Sequence, residues 1–144
     1  MNVFQYLKED DAAIEGHLQN ITEHYEHWPP DRVFEETKKV LNSIRVHFDV
    51  KESLLANNLK ARDGMECSLE ECEKEKQEIY DEMNNIVQIH VDEDGFVSGL
   101  RSLLSKVSEH RKFCNDIYYP NMRARLTDSD LLHIEEQLDT MVLS

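Results

Sequence analysis

Six polar side chains stand where apolar ones belong, and their types suit acid–base or ligand chemistry. Asp11, His47, Lys51, Lys76, His110 and Arg111 each lie on, or one residue from, an apolar row spaced at three and four residues. A carboxylate and two imidazoles, Asp11, His47 and His110, can make a sparse mononuclear site for iron, zinc or manganese. The three cations point elsewhere, because a protonated lysine cannot ligate and is repelled by a dication. The plainer reading is a buried ion network in which Asp11 neutralises Lys51 or Arg111. A third option is an anion or small ligand held at the layer, since one aspartate does not balance three cations.

The rows that carry these residues define the elements. Phe4, Leu7, Asp11, Ile14, Leu18, Ile21, Tyr25 and Trp28 predict a first helix from Val3 to Tyr25, stopped by Pro29 and Pro30. Asp31 is placed to cap or open a second helix, along Val33, Thr37, Val40, Ile44, His47, Lys51 and Leu54, that runs to about Leu59. Ala61 to Gly64 reads as its stop. Ser68 and Glu71 have the spacing of a capping box before a third helix with Leu69, Cys72, Lys76, Ile79, Met83 and Ile86 inward. Asp92 or Asp94 opens a fourth helix along Val97, Leu100, Leu104, Val107, Arg111, Cys114 and Tyr118, and the neighbouring row turns His110 inward instead. Pro120 kinks or ends it, and Thr127 to Asp130 caps a short fifth helix.

Four long amphipathic helices on short links make an all-α, up-down-up-down four-helix bundle, here one domain over residues 1–144 with a short C-terminal helix. In antiparallel hairpins, residues at one level have numbers summing to about twice the loop midpoint. Asp11 then lies level with His47, Lys76 with His110 and Arg111, and Lys51 near Lys76. The interruptions fall in one polar layer.

Composition limits the function. Sixteen Lys and Arg against thirty Asp and Glu give a net charge of -14, which disfavours nucleic acid and anionic membranes. No run approaches the roughly 18 apolar residues of a spanning helix, and no secretory leader is evident, so a cytoplasmic protein is expected. Cys67, Cys72 and Cys114 lack zinc-ribbon spacing and read as reduced thiols. A catalytic pair of Cys114 with His110 lacks any accompanying substrate feature. His17, His24 and His27 read as solvated positions near a turn, and His90 and His133 have no ligand spacing around them. The Glu- and Lys-rich run from Glu66 to Glu78 reads as a solvated face that could receive a basic protein partner.

Three segments carry a family resemblance. Met1-Asn-Val-Phe-Gln-Tyr-Leu-Lys-Glu-Asp-Asp-Ala-Ala-Ile14 resembles the opening of hemerythrin-like (HHE cation-binding) domains. His47-Phe-Asp-Val-Lys-Glu52 is similar to their His-Phe-x-x-Glu-Glu signature, and Tyr118-Tyr-Pro-Asn-Met122 to the aromatic-proline ending that follows their last ligands. The resemblance spans nearly the whole chain and implies a bundle around a non-haem di-iron centre that binds oxygen, handles nitric oxide, or senses oxygen or iron. This sequence departs from the ligand pattern. Asp11 replaces the first histidine, Lys51 the glutamate after His47, Lys76 a histidine, and Arg111 another, with His110 adjacent and Asn115 or Asp116 at the carboxylate position. Only His47 stands in place. The expectation is therefore a hemerythrin-like domain without the standard di-iron centre and with no cofactor, acting as a non-enzymatic binding or regulatory protein. The alternative is a protein that binds iron or another divalent metal.

Overall fold

The computed structural model describes residues 2–59, 62 and 64–143. Met1, and Ala61 and Asp63 of the expected stop after the second helix, lie outside the described residues. All regular structure among the described residues is helical: α1 (Val3–His24), α2 (Pro30–Lys51), α3 (Glu66–Ile86), α4 (Asp94–Phe113) and α5 (Asp128–Leu143). The bundle and its added C-terminal helix are those the periodicity predicts. Helix α1 packs along both α2 and α4, and α3 packs along α4, while α5 lies across the start of α1.

Two helices extend beyond their regular part through a wider turn. After Lys51, α2 passes through a π-helical turn, Glu52–Ala56, and a last α-helical turn, Asn57–Leu59. After Phe113, α4 passes through a π-helical turn, Cys114–Tyr118, into Tyr119–Ala124. Pro120 accounts for the second of these: it has no amide hydrogen for the Asp116 carbonyl, and the Tyr119 amide bonds back five residues to the Cys114 carbonyl instead. The proline does not end the helix but widens one turn of it.

The caps differ in part from expectation. Asn2 Oδ1 accepts from the Gln5 amide at 3.0 Å and opens α1. Asp31 sits inside the first turn of α2, whose cap position is Pro29, so its charge meets the helix dipole without a capping hydrogen bond. The Ser68–Glu71 box does not form, because α3 begins two residues earlier at Glu66 and buries Ser68. The Ser68 hydroxyl instead accepts from Asn121 Nδ2 at 2.7 Å, which ties the start of α3 to the tail of α4. Of the two expected openings of α4, Asp94 is its first residue, with Glu93 at the cap position. At α5 the cap forms as read: Thr127 Oγ1 accepts from the Asp130 amide at 3.1 Å, and Asp130 Oδ2 accepts from the Thr127 amide at 2.9 Å.

The core is in two apolar blocks. One holds Ile14, Leu18, Ile21, Val40, Ile44, Met83, Leu100 and Val107 with their neighbours. The other, at the end covered by α5, holds Leu7, Leu54, Leu55, Met65, Tyr118, Tyr119, Ile134 and Leu138. Along α1 the blocks are separated at Asp11, along α2 at His47 and Lys51, and along α4 at His110. The inward row of α4 runs Phe96, Leu100, Leu103, Val107, His110 and Cys114, so Arg111, Val97 and Leu104 of the expected row are turned partly aside. Gly99 allows the close approach of α3 to α4, since a Cβ there would lie 2.8 Å from Ile86 Cγ1.

Candidate functional site

The layer between the blocks is built around two imidazoles whose surroundings shift them in opposite directions. His47 Nδ1 donates to Asp10 Oδ2 at 2.6 Å, and its Nε2 lies 2.8 Å from Asp11 Oδ1, off the line of a hydrogen bond. Burial opposes a charged ring, yet Asp10 and Asp11 outweigh it and raise the His47 pKa above its ordinary 6.5. Burial likewise works against the Asp11 carboxylate. His47, Lys51 and the Tyr119 hydroxyl, which donates to Asp11 Oδ2 at 2.9 Å, more than offset it and hold the carboxyl below its ordinary value.

His110 is the neutral counterpart. Its Nδ1 donates to Glu75 Oε1 at 2.6 Å, and its Nε2 accepts from Lys51 Nζ at 2.8 Å, which fixes the Nδ1–H tautomer. Burial first, and the Lys51 charge second, depress its pKa to about 2. Lys51 is 1 % exposed, and Nζ also donates to Cys114 Sγ at 3.4 Å. It stands 4.8 Å from the centre of the Phe48 ring and 5.8 and 6.0 Å from those of Tyr118 and Tyr119. Burial works against the ammonium, but its pKa is raised overall. Cys114 and Cys72 help only where they ionise, and burial pushes the Cys114 thiol up to about 12. At neutral pH the charge is therefore held by Asp11, the His110 lone pair and the aromatic faces.

Four of the six residues read from the sequence, Asp11, His47, Lys51 and His110, are buried together. Lys76 and Arg111 are not part of the layer. Lys76 sits at its margin, pairing with Glu52 at 3.1 Å and Glu73 at 3.6 Å, and Arg111 is half-buried against Glu15 at 3.2 Å. Their long stems let the charged heads reach partners at the bundle surface. Neither Lys51 nor Arg111 pairs directly with Asp11, whose partners are His47 and Tyr119. The periodicity does not point to Asp10 or Glu75 as members. The adjacent acid pair Asp10-Asp11 was the available signal for the first, since a helix can aim neighbouring carboxylates at two sides of one ring.

Both nitrogens of His47 face carboxylates, the free lone pair of His110 faces an ammonium, and among the described residues no group of three or more His, Cys, Asp or Glu is arranged to hold a metal ion. The small cavity bounded by Asp11, His47 and His110 measures about 10 Å³, space for a single water at most. Cys114 and His110, 3.4 Å apart, lack the chemistry of a nucleophile and base, because the thiol is held protonated and the imidazole lone pair is occupied by Lys51. The remaining histidines lie apart: His17 meets Glu36 at 3.7 Å, His24 stacks on Trp28, His90 accepts from the Asp92 amide, and His27 and His133 are exposed.

Fold and site together define an all-α bundle with a charged, hydrogen-bonded layer in its core. Compared with models of protein families, with curated proteins and with solved structures, the chain finds no match. Among the described residues, no helix is long and apolar enough to cross a membrane.

Proposed function

We propose that the chain is a non-enzymatic binding or regulatory domain of hemerythrin-like type, in which the Lys51 ammonium stands where that family places metal charge. The observation that carries this reading is the setting of Lys51: fully buried between His110 and Cys114, in a layer that otherwise contributes carboxylates and imidazoles. Two metal ions bring positive charge into a carboxylate-lined core, and a lysine supplies such charge without coordination chemistry. The surroundings of His47 and His110 support the same reading, since a charged group already faces each of their ring nitrogens.

The test is metal content after exposure of the folded protein to ferrous iron, followed by desalting. Well under one iron per chain and no charge-transfer absorption are expected, and a stoichiometric di-iron centre would sink the proposal. Lys51→Glu combined with Lys76→His restores carboxylate and imidazole at the positions the resemblance assigns to ligands. That variant is expected to take up more metal than the parent protein.

A further inference from the structure

Helices α2 and α3 meet through an edge-on contact of Phe48 with Tyr80, ring centres 5.6 Å apart, and through the Glu52–Lys76 pair. In this seam lies a cavity of about 300 Å³, the lower end of the range for small-molecule sites. Phe48, Leu69, Cys72 and Tyr118 supply its apolar wall, and Lys51 supplies a buried charge. It reaches the surface beside Glu52, Asn57 and Glu73, which are exposed.

Lys51 carries three N–H donors, and two have acceptors, His110 Nε2 and Cys114 Sγ. Among the described residues no carboxylate oxygen comes within 4.0 Å of Nζ. The nearby acids are engaged elsewhere, Asp11 by His47 and Tyr119, and Glu75 by His110. A fully buried cation with one donor unmatched and no counter-ion in contact thus borders an open cavity, whereas buried charges are ordinarily paired. An anion entering the cavity would complete the pairing.

We propose that this cavity binds a small monocarboxylate with an apolar or aromatic body, its carboxylate accepting from the Lys51 ammonium and its body packing on Phe48, Leu69 and Tyr118. The mouth sets the charge limit: Glu52 and Glu73 flank the single ammonium of Lys76, and the chain as a whole carries -14, so multiply charged anions are repelled. The proposal rests on the reading of this chain as a binding domain and names the ligand class for it.

The experiment is a calorimetric titration of the full chain with benzoate, with benzamide as the uncharged counterpart and inorganic phosphate as an anion without an apolar body. Benzoate is expected to saturate one site, with benzamide and phosphate at least tenfold weaker. Lys51→Met is expected to weaken benzoate at least tenfold. Ala56→Phe, at the partly exposed edge of the cavity, should block it by filling the space without touching the layer, which keeps a variant in hand if Lys51→Met does not fold. No benzoate binding to the folded parent at millimolar concentration, equal binding of benzamide, preference for phosphate, or full binding to Ala56→Phe would each overturn the proposal. An iron-free protein that ignores benzoate loses this ligand but keeps its standing as a binding domain. A protein that loads with iron loses that reading first.

Discussion

Lys51 Nζ lies 2.8 Å from His110 Nε2, and this contact joins a residue of α2 to one of α4 across the middle of the bundle. The lysine can donate only because the imidazole keeps its other proton on the side of Glu75. Protonation of His110 would convert the hydrogen bond into a meeting of two cations.

The two partners are not equivalent to mutation. His110→Leu leaves a buried ammonium without its best acceptor and is expected to cost about 3 kcal/mol, the scale for stranding a charged donor. Lys51→Met in that background removes the stranded charge and should recover most of the loss. Urea unfolding of the two single variants and the double variant measures the coupling, and additive losses would show that the contact contributes nothing.

The opposite pKa shifts of His47 and His110 give the protein a stability optimum near the ordinary histidine pKa. The folded-state pKa of His47 is raised, so its contribution is complete below about 6.5 and is lost as pH rises through the folded value. The folded-state pKa of His110 is lowered to about 2, so below about 6.5 the unfolded chain binds a proton that the folded chain does not, and stability falls as pH falls. Melting temperature measured across pH should therefore decline on both sides. His47→Asn flattens the alkaline limb and His110→Leu the acidic one, and an unchanged profile in either variant would disprove the assignment for that residue.

Tyr119 donates to a buried carboxylate, with Asp11 4 % exposed. Tyr119→Phe keeps the ring packing and removes one hydrogen bond, for an expected loss of about 1–3 kcal/mol. The acid limb should also move, because Asp11 loses one of the groups that hold its pKa down and is then protonated at higher pH as the solution is acidified. Denaturant unfolding at pH 4 and at pH 7 separates the two effects.

Gly99→Ala tests the approach of α3 to α4. Its methyl would meet Ile86 Cγ1 at 2.8 Å, an overpacked contact expected to cost about 1–3 kcal/mol. Ile86→Val in the same chain is expected to return part of that loss, measured by thermal unfolding. If Gly99→Ala is neutral by itself, the glycine is not what allows the close packing.

The helices could be read from local information because their rows of apolar residues repeat at the period of the helix and each row must be buried. The same rows exposed the interruptions at Asp11, His47 and Lys51. Hairpin arithmetic placed Asp11 level with His47, and these two stand 2.8 Å apart. Arg111 and His110 could not be separated this way, since a rotation of about 100° per residue puts either at the edge of the row. In the folded bundle His110 turns inward between Lys51 and Glu75, and Arg111 turns out to Glu15 of α1.

The sequence by itself determined an all-helical bundle with charged residues breaking its apolar seams, because periodicity and proline placement are properties of the chain alone. Tertiary structure alone decided which charges meet. Asp10, Glu75 and Tyr119 lie 37, 35 and 108 residues from the groups they bind, and no local pattern encodes such a distance. The opposite shifts of His47 and His110 follow from those partners: identical side chains, buried alike, one lying between two carboxylates and the other beside an ammonium.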